Sequence, residues 1–581
     1  MTLSDFVGQF ATRRRAPVIA ALVALLASLP GLFTLPATDR DESRFAEASA
    51  QMLESGDFTN IMFQDTPRYK KPVGIYWLQA ASVAALSDPE ARAIWAYRIP
   101  SVLGAMLAAA ACAWGALAFL PPAAATAAGA LLAATTALSS EANLATTDAA
   151  LCGAVTLSMA AMARLYLAHR DGPAADRWTW LLFWLGLAGA VLLKGPIGPM
   201  VATLTAITLI AWDRRAGWLG ALRWDWGLIV FLGVVLPWTL AISVETDGGF
   251  WGVAVGGDLA PKLFGGQEGH GAPPGYFLLL SPILLFPAAL LAPAAAVAAW
   301  RGRTEPAVRF ALCWLVPSWL IFELVPTKLP HYTLPTFGAI CWLMAATLTR
   351  PLGTVARRLG ALANLAVGAG FAVAGALAAS FFGGAASWVW ASFAAILFVA
   401  AAIGGALMLL RGRPAPAAAI AGVLGVAAHG VLVGALAPTL NGLWLSKRIA
   451  ADLARATPSG FEKGPPAVAG YAEPSLVFAL GAPTELGTPE DAADAINEGR
   501  PAIVAGGEDA KFRAAIAQGE VSAHVAAAEA GLDYSTGRRQ LLRLYEPVTP
   551  APAAPAPTGQ PQGQPAQAPP AEGSPSMGPP A

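Results

Sequence analysis

The sequence predicts a mainly α-helical, polytopic membrane bundle of about thirteen spans, followed by a small α/β domain outside the membrane. Three observations predict it. Of 581 residues, 56% are hydrophobic and only 13% charged, against roughly 45–50% and about 25% in ordinary soluble domains, and so much apolar surface cannot be hidden in a water-soluble globule. Apolar runs long enough to cross about 30 Å of hydrocarbon, roughly 17–25 residues each, recur from residue 17 to about residue 437. After residue 445 the composition becomes that of a small soluble module.

In chain order the spans fall near 17–36, 98–120, 122–139, 149–168, 178–194, 196–212, 226–243, 275–299, 306–323, 333–349, 361–380, 385–410 and 415–437. The first continues into a charged segment with no small-residue cleavage pattern, so it reads as a retained span following a short cytoplasmic N-terminus, residues 1–16, rather than as a signal peptide. Residues 73–90 are too short for a comfortable span and read as a helix lying along the outer interface, within a first outward loop over 37–97. From 445 to 546, VAGYAEPSLVFAL, PAIVAGG and RQLLRLYEP read as strands, and EDAADAIN and DAKFRAAIAQ as helices. The tail over 547–581 is rich in Pro, Ala, Gln and Gly, cannot build a core and is expected to be disordered.

Orientation follows from arginines beside short loops. Arg13, Arg14 and Arg15 precede the first span and place the N-terminus in the cytoplasm. The loops that must then also be cytoplasmic carry His169, Arg170 and Arg177; Arg214, Arg215 and Arg223; Arg301 and Arg303; Arg350, Arg357 and Arg358; and Arg411 with Arg413. Residues 17–444 thus form the membrane domain, with the module after it on the outer, periplasmic side. Lys and Arg total 37, as do Asp and Glu, so no net field draws the chain to nucleic acid, and a nucleic-acid partner is excluded. The four cysteines, Cys112, Cys152, Cys313 and Cys341, lie in apolar runs without a CxxC pair and read as buried small residues.

The outward segments hold the chemistry. TDRDESRFAE places Asp41, Glu42 and Arg44 where a span leaves the membrane; most such clusters are solvated loops, but acids beside an Arg at that depth are costly unless paired or functional. TPRYKKPVGIYW adds Arg68, Lys70 and Lys71 before an aromatic segment, which suits a phosphate carried on a lipid. Asp148 in LATTDAAL reads equally as a helix cap and as a functional acid. Lys194 in LLKGPIGP is a phosphate ligand or a lysine snorkelling to the interface.

The order DESRFAE, SGDF, YKKPVGIYW, RIPSVLG, then LATTDAAL, LLKGPIGP, GGQEGHGAPPGYF and PTKLPHYTLP, resembles the bacterial members of the dolichyl-phosphate-mannose protein mannosyltransferase superfamily, most closely the lipid A aminoarabinose transferase group. The resemblance covers roughly residues 16–450. It implies a GT-C membrane fold and an inverting glycosyltransferase taking a sugar from a polyprenyl phosphate in the bacterial inner membrane. The expected acceptor is lipid A or another envelope glycoconjugate, the alternatives being a protein O-mannosyltransferase-like reaction and, less favoured, a lipid-linked sugar transporter. By resemblance Asp41 is the base, with Glu42 beside it and Asp148 as a second acid in the same cavity. Arg44 and Lys71, then Lys328 and Tyr332 in KLPHY, and Lys194, are expected to hold the donor phosphate.

Aminoarabinose transferases have a glutamate before the KP dipeptide and a downstream histidine resembling a metal site. Here Lys70 stands at the glutamate position and His270 is the candidate histidine. A cation cannot ligate a metal, so either the site is absent, or Glu42 or another acid substitutes, or a different sugar is recognised. No cofactor is expected to be required. A transporter would show internal repeats and broken midplane helices, whereas here the charged motifs gather on one face.

Overall fold

The computed structural model describes residues 12–38, 40–264, 271–458, 460–519, 521–533 and 536–548. His270 and the Pro/Ala-rich tail from residue 549 onward lie outside the described residues. Among the described residues seven helices are long and apolar enough to cross a membrane: Ile94–Ala116, Asp148–Ala168, Trp224–Glu245, Pro306–Leu324, Thr354–Phe382, Ala385–Leu410 and Pro414–Thr439. Four shorter apolar helices, Ala16–Leu32, Pro122–Ala134, Thr179–Lys194 and Ile197–Asp213, occupy further expected span positions. Residues 333–349 hold a 3₁₀ turn, Pro330–Thr336, and a nine-residue helix, Phe337–Ala345. Length and composition therefore qualify seven spans, or eight with the bent pair below, and leave the figure of about thirteen unestablished.

The span expected over 275–299 is broken. Tyr276–Leu284 and Ala288–Arg301 meet at 113°, because Pro282 and Pro287 remove donors from the helical ladder. Carbonyls freed at the break must find partners away from water. Thr136 supplies them: its N–H donates to Phe286 O at 2.9 Å and its hydroxyl to Ile283 O at 2.5 Å.

Asp148–Ala168 is the central helix, 89% of its apolar window being buried, whereas Trp224–Glu245 and Thr354–Phe382 are each 22% buried and present Leu, Val and Ile outward. Small residues let the centre close. A Cβ on Gly104 would lie 2.4 Å from Ala150 Cα, and one on Gly153 2.5 Å from Gly104 O, so the Ile94–Ala116 and Asp148–Ala168 backbones touch at this crossing. Gly104→Val is therefore expected to lower stability by roughly 1–3 kcal/mol, seen as a lower melting temperature of the detergent-purified protein; an unchanged melting temperature would show that the crossing can open freely.

After the first apolar helix, Arg40–Ser55 lies against Gly74–Leu86, with a short hairpin, Met62–Phe63 and Thr66–Pro67, between them. The C-terminal module is a five-stranded sheet ordered Glu485–Gly487, Ala467–Ala469, Ala502–Ala505, Arg539–Pro547, Ala523–Leu532, parallel on the first side and antiparallel on the second. The strand expected across VAGYAEPSLVFAL stops at Ala469, since Gly470 turns with φ +78° and Pro474 opens the helix Pro474–Leu480. That helix seats the module on the first loop: Phe478 packs edge-on against Tyr97 at 5.3 Å, and Gln64 donates to Ala482 O and Thr484 O.

Candidate active site

Arg40–Ser55 begins where the chain leaves the first span, and its first turn carries two acids with different surroundings. Asp41 is half-exposed and sits 3.8 Å from Arg44 and 3.9 Å from Arg68, within charge contact but beyond a hydrogen bond, so its oxygens are open to a substrate. Glu42 is fully buried, and here the expectation of a catalytic role is corrected. Arg98 donates to both of its oxygens, at 2.7 and 2.9 Å, and Thr38 N–H and hydroxyl and Ala145 N–H complete its shell. Arg98 also donates to Leu35 O and Pro36 O. Glu42 is thus a structural pin tying the first span's exit to the loop before the central helix, with no lone pair left for a substrate.

A second centre joins the segment before the helix Gly74–Leu86 to the segment that follows Trp224–Glu245. Lys71 Nζ lies 3.1 Å from Asp258 Oδ2, and Lys262 Nζ 2.5 Å from Oδ1 of the same carboxylate. Asp258 stands in a short run of wide π-type turns, Gly252–Leu259, and Lys262 one turn later. Burial first, then the Lys262 ammonium, push Lys71 down to about 8 against the pull of Asp258. Burial would raise the Asp258 carboxyl, but the two lysines outweigh it and hold it below the usual range.

The third centre lies at the N-terminus of the central helix. Asp148 does not cap the backbone: Lys194 Nζ donates to its Oδ1 at 2.5 Å, Thr147 hydroxyl to its Oδ2 at 3.2 Å, and His331 Nε2 stands 3.6 Å from Oδ2. Lys194 is therefore paired rather than snorkelling, and it lies over the Tyr332 ring at 5.1 Å. His331 Nδ1 reaches Glu141 Oε1 at 3.1 Å. Burial would lower the His331 imidazole, but Asp148 and Glu141 outweigh it and hold it above its ordinary value.

Tyr332 belongs to the third centre, and its phenol is raised by burial, opposed by Lys194, and raised further by Asp148, Asp258 and Asp41. Lys328 is occupied elsewhere. It is buried, donates to Val325 O and interacts with Glu323, whose carboxylate accepts the Gly275 and Leu278 N–H groups at the start of the helix Tyr276–Leu284.

Glu141, Asp148 and His331 have metal-type atoms within 4.8 Å of one another. Both ring nitrogens already face carboxylates, and Lys194 holds the remaining Asp148 oxygen. A divalent ion held there would have to lie beside the Lys194 ammonium. Sequence reasoning missed Arg98, Asp258, Lys262, Glu141 and His331. Arg98 and His331 carried a signal, Arg98 by opening RIPSVLG and His331 as the polar residue between Lys328 and Tyr332.

Fold and site together define a polytopic membrane protein with cations and acids converging on one end of the bundle around its central helix. Residues 19–249 match the family profile described as dolichyl-phosphate-mannose-protein mannosyltransferase. The chain is 28% identical over 375 residues to an undecaprenyl phosphate-alpha-4-amino-4-deoxy-L-arabinose arabinosyl transferase of Pseudomonas fluorescens, covering 61% of each chain. It is 29% identical over 344 residues to the corresponding transferase of Erwinia tasmaniensis, covering 58% of this chain and 60% of the relative. The matched segment thus spans about 61% of the first relative's length. Its fold is similar to that of the crystal structure of ArnT from Cupriavidus metallidurans bound to undecaprenyl phosphate, with a TM-score of 0.74 and 21% identity over 91% of this chain and 97% of that one. The resemblance to the aminoarabinose transferase group within the mannosyltransferase superfamily holds.

Proposed function

We propose that this chain is an inverting glycosyltransferase of the bacterial inner membrane, moving a sugar from a polyprenyl phosphate to lipid A or another envelope glycoconjugate. The N-terminus is cytoplasmic, and the site and C-terminal module face the periplasm. The observation that carries this reading is that the half-exposed Asp41 and the Asp258 carboxylate, which joins Lys71 to Lys262, both act on the same two phenols, Tyr76 and Tyr332. An acceptor oxygen attacks the anomeric carbon, the bond from that carbon to the phosphate oxygen breaks, and its electron pair stays on the phosphate. The lysines stabilise that charge, and Asp41 takes the proton of a hydroxyl acceptor. A phosphate acceptor has no proton to lose, and Asp41 then orients it.

No divalent metal is required in this scheme, because the lysines supply the positive charge. Mass spectrometry of lipid A and envelope glycoconjugates from cells with and without the gene tests the assignment. A mass increment of one sugar on lipid A that vanishes with the gene is expected; an increment lost from envelope protein instead would move the acceptor to a protein hydroxyl.

The Lys71 ammonium also predicts a pH dependence. Its lowered pKa means that the charge is present below about pH 8 and lost as pH rises through it. The KM for the lipid donor should therefore rise above about pH 8, by up to roughly tenfold per pH unit, and Lys71→Arg should move the rise to higher pH. A flat KM between pH 7 and 9 would remove the Lys71 charge from donor binding.

A further inference from the structure

The Lys71–Asp258–Lys262 cluster has a feature that phosphate binding alone does not require. A site meant simply to hold an anion as tightly as possible would leave its two ammoniums free, yet here a buried carboxylate stands between them, one oxygen for each. The formal sum of the three groups is +1. The ligand's charge changes during the proposed reaction. A polyprenyl phosphate bearing a sugar is a phosphodiester with one negative charge. Once the bond from the anomeric carbon breaks, the carrier is a phosphomonoester, whose second pKa near 6 gives it about −1.5 to −2 at neutral pH.

We propose that Asp258 is a specificity-determining counter-ion: it holds the lysine pair at a net charge matching the singly charged donor and disfavours the more highly charged spent carrier, so that the carrier leaves after transfer. The inference rests on the lipid-phosphate reading of this site. Three features of the geometry support it. Asp258 and Lys262 lie one helical turn apart on one segment while Lys71 comes from another loop, so the carboxylate spans both phosphate-facing arms. Lys194, the next ammonium felt by Lys71, is already paired with Asp148 and adds no net charge. Asp258 is kept ionised by its two lysines, with the Tyr76 and Tyr332 phenols the other titratable groups that sense it, so its charge is constant across the range in which a phosphomonoester titrates.

The test uses the full chain in detergent or nanodiscs, with the KM for a polyprenyl-phosphate sugar donor and the Ki of free polyprenyl phosphate measured for wild type, D258N, D258E and K262M. Removing one negative charge beside a ligand that has gained one is expected to lower the product Ki of D258N by about tenfold, with a smaller fall in donor KM and a lower kcat from slow release. D258E retains the charge and should restore the wild-type ratio of Ki to KM. K262M, the opposite change, should raise the product Ki more than the donor KM, and it keeps the question open to measurement if D258N folds poorly. At pH 5.5, where the monoester is close to singly charged, the D258N effect should shrink toward the donor's; a purely structural role would not move with the ligand's protonation. Equal shifts in Ki and KM, or weaker product binding in D258N, would overturn the counter-ion role while leaving the phosphate site intact. If neither D258N nor K71M altered donor or product binding, the lipid phosphate would be bound elsewhere, and the underlying assignment of the site would fall with the proposal.

Discussion

Asp41→Asn is expected to lower sugar transfer by at least about 10²-fold, the lower end of what a positioned general base contributes, while the protein still inserts, folds and binds the lipid donor. The substitution keeps shape and removes only the carboxylate's basicity and charge. Folding should be spared because Asp41 is half-exposed and its arginines stand at 3.8 and 3.9 Å, contacts that contribute little to stability at such exposure. Arg68 retains its stack on the Phe45 ring, 5.0 Å from the guanidinium to the ring centre. The split between kcat and KM then reports the acceptor. A hydroxyl acceptor loses its base and the fall lies in kcat, whereas a phosphate acceptor needs no base and the loss moves toward acceptor KM. Unchanged transfer by the purified variant would take Asp41 out of the reaction.

Glu42→Ala, one residue on, should do something quite different. It leaves Arg98, which has no exposed surface, without its carboxylate in the interior, a loss of the kind that costs about 3–5 kcal/mol. The Thr38 and Ala145 N–H groups lose their acceptor at the same time. The expected result is a chain that is degraded or melts far earlier, with donor affinity failing only because the loop carrying Asp41 comes loose. A stable, folded Glu42→Ala protein with normal donor binding but no turnover would restore Glu42 to the chemistry.

These neighbouring acids show where sequence reading reaches its limit. Successive residues on a helix point about 100° apart, so one faces the cavity and the other the core. Nothing in DESR says which, because that depends on Arg98, 56 residues downstream. Seven of the expected spans were legible because burial in lipid demands long apolar runs. The break within 275–299 was marked in the sequence by Pro282 and Pro287 but masked by two equally apolar halves, and what stabilises the corner is Thr136 in a distant helix. Asp258 and Lys262 escaped notice in GVAVGGDLAPK because small apolar residues surround them and no motif marks the segment. They matter only because the loop folds back onto Lys71. Lys328 misled in the opposite way, sharing KLPHY with Tyr332 while turning its ammonium to a backbone carbonyl.

The most direct measurement places the purified chain in liposomes with a polyprenyl-phosphate sugar and lipid A, and follows both lipids by mass spectrometry. The predicted result is glycosylated lipid A and free polyprenyl phosphate appearing in equal amounts, lost together in Lys71→Met and Asp41→Asn. Movement of the lipid-linked sugar across the bilayer with no new covalent product would contradict the transferase assignment and make the chain a transporter.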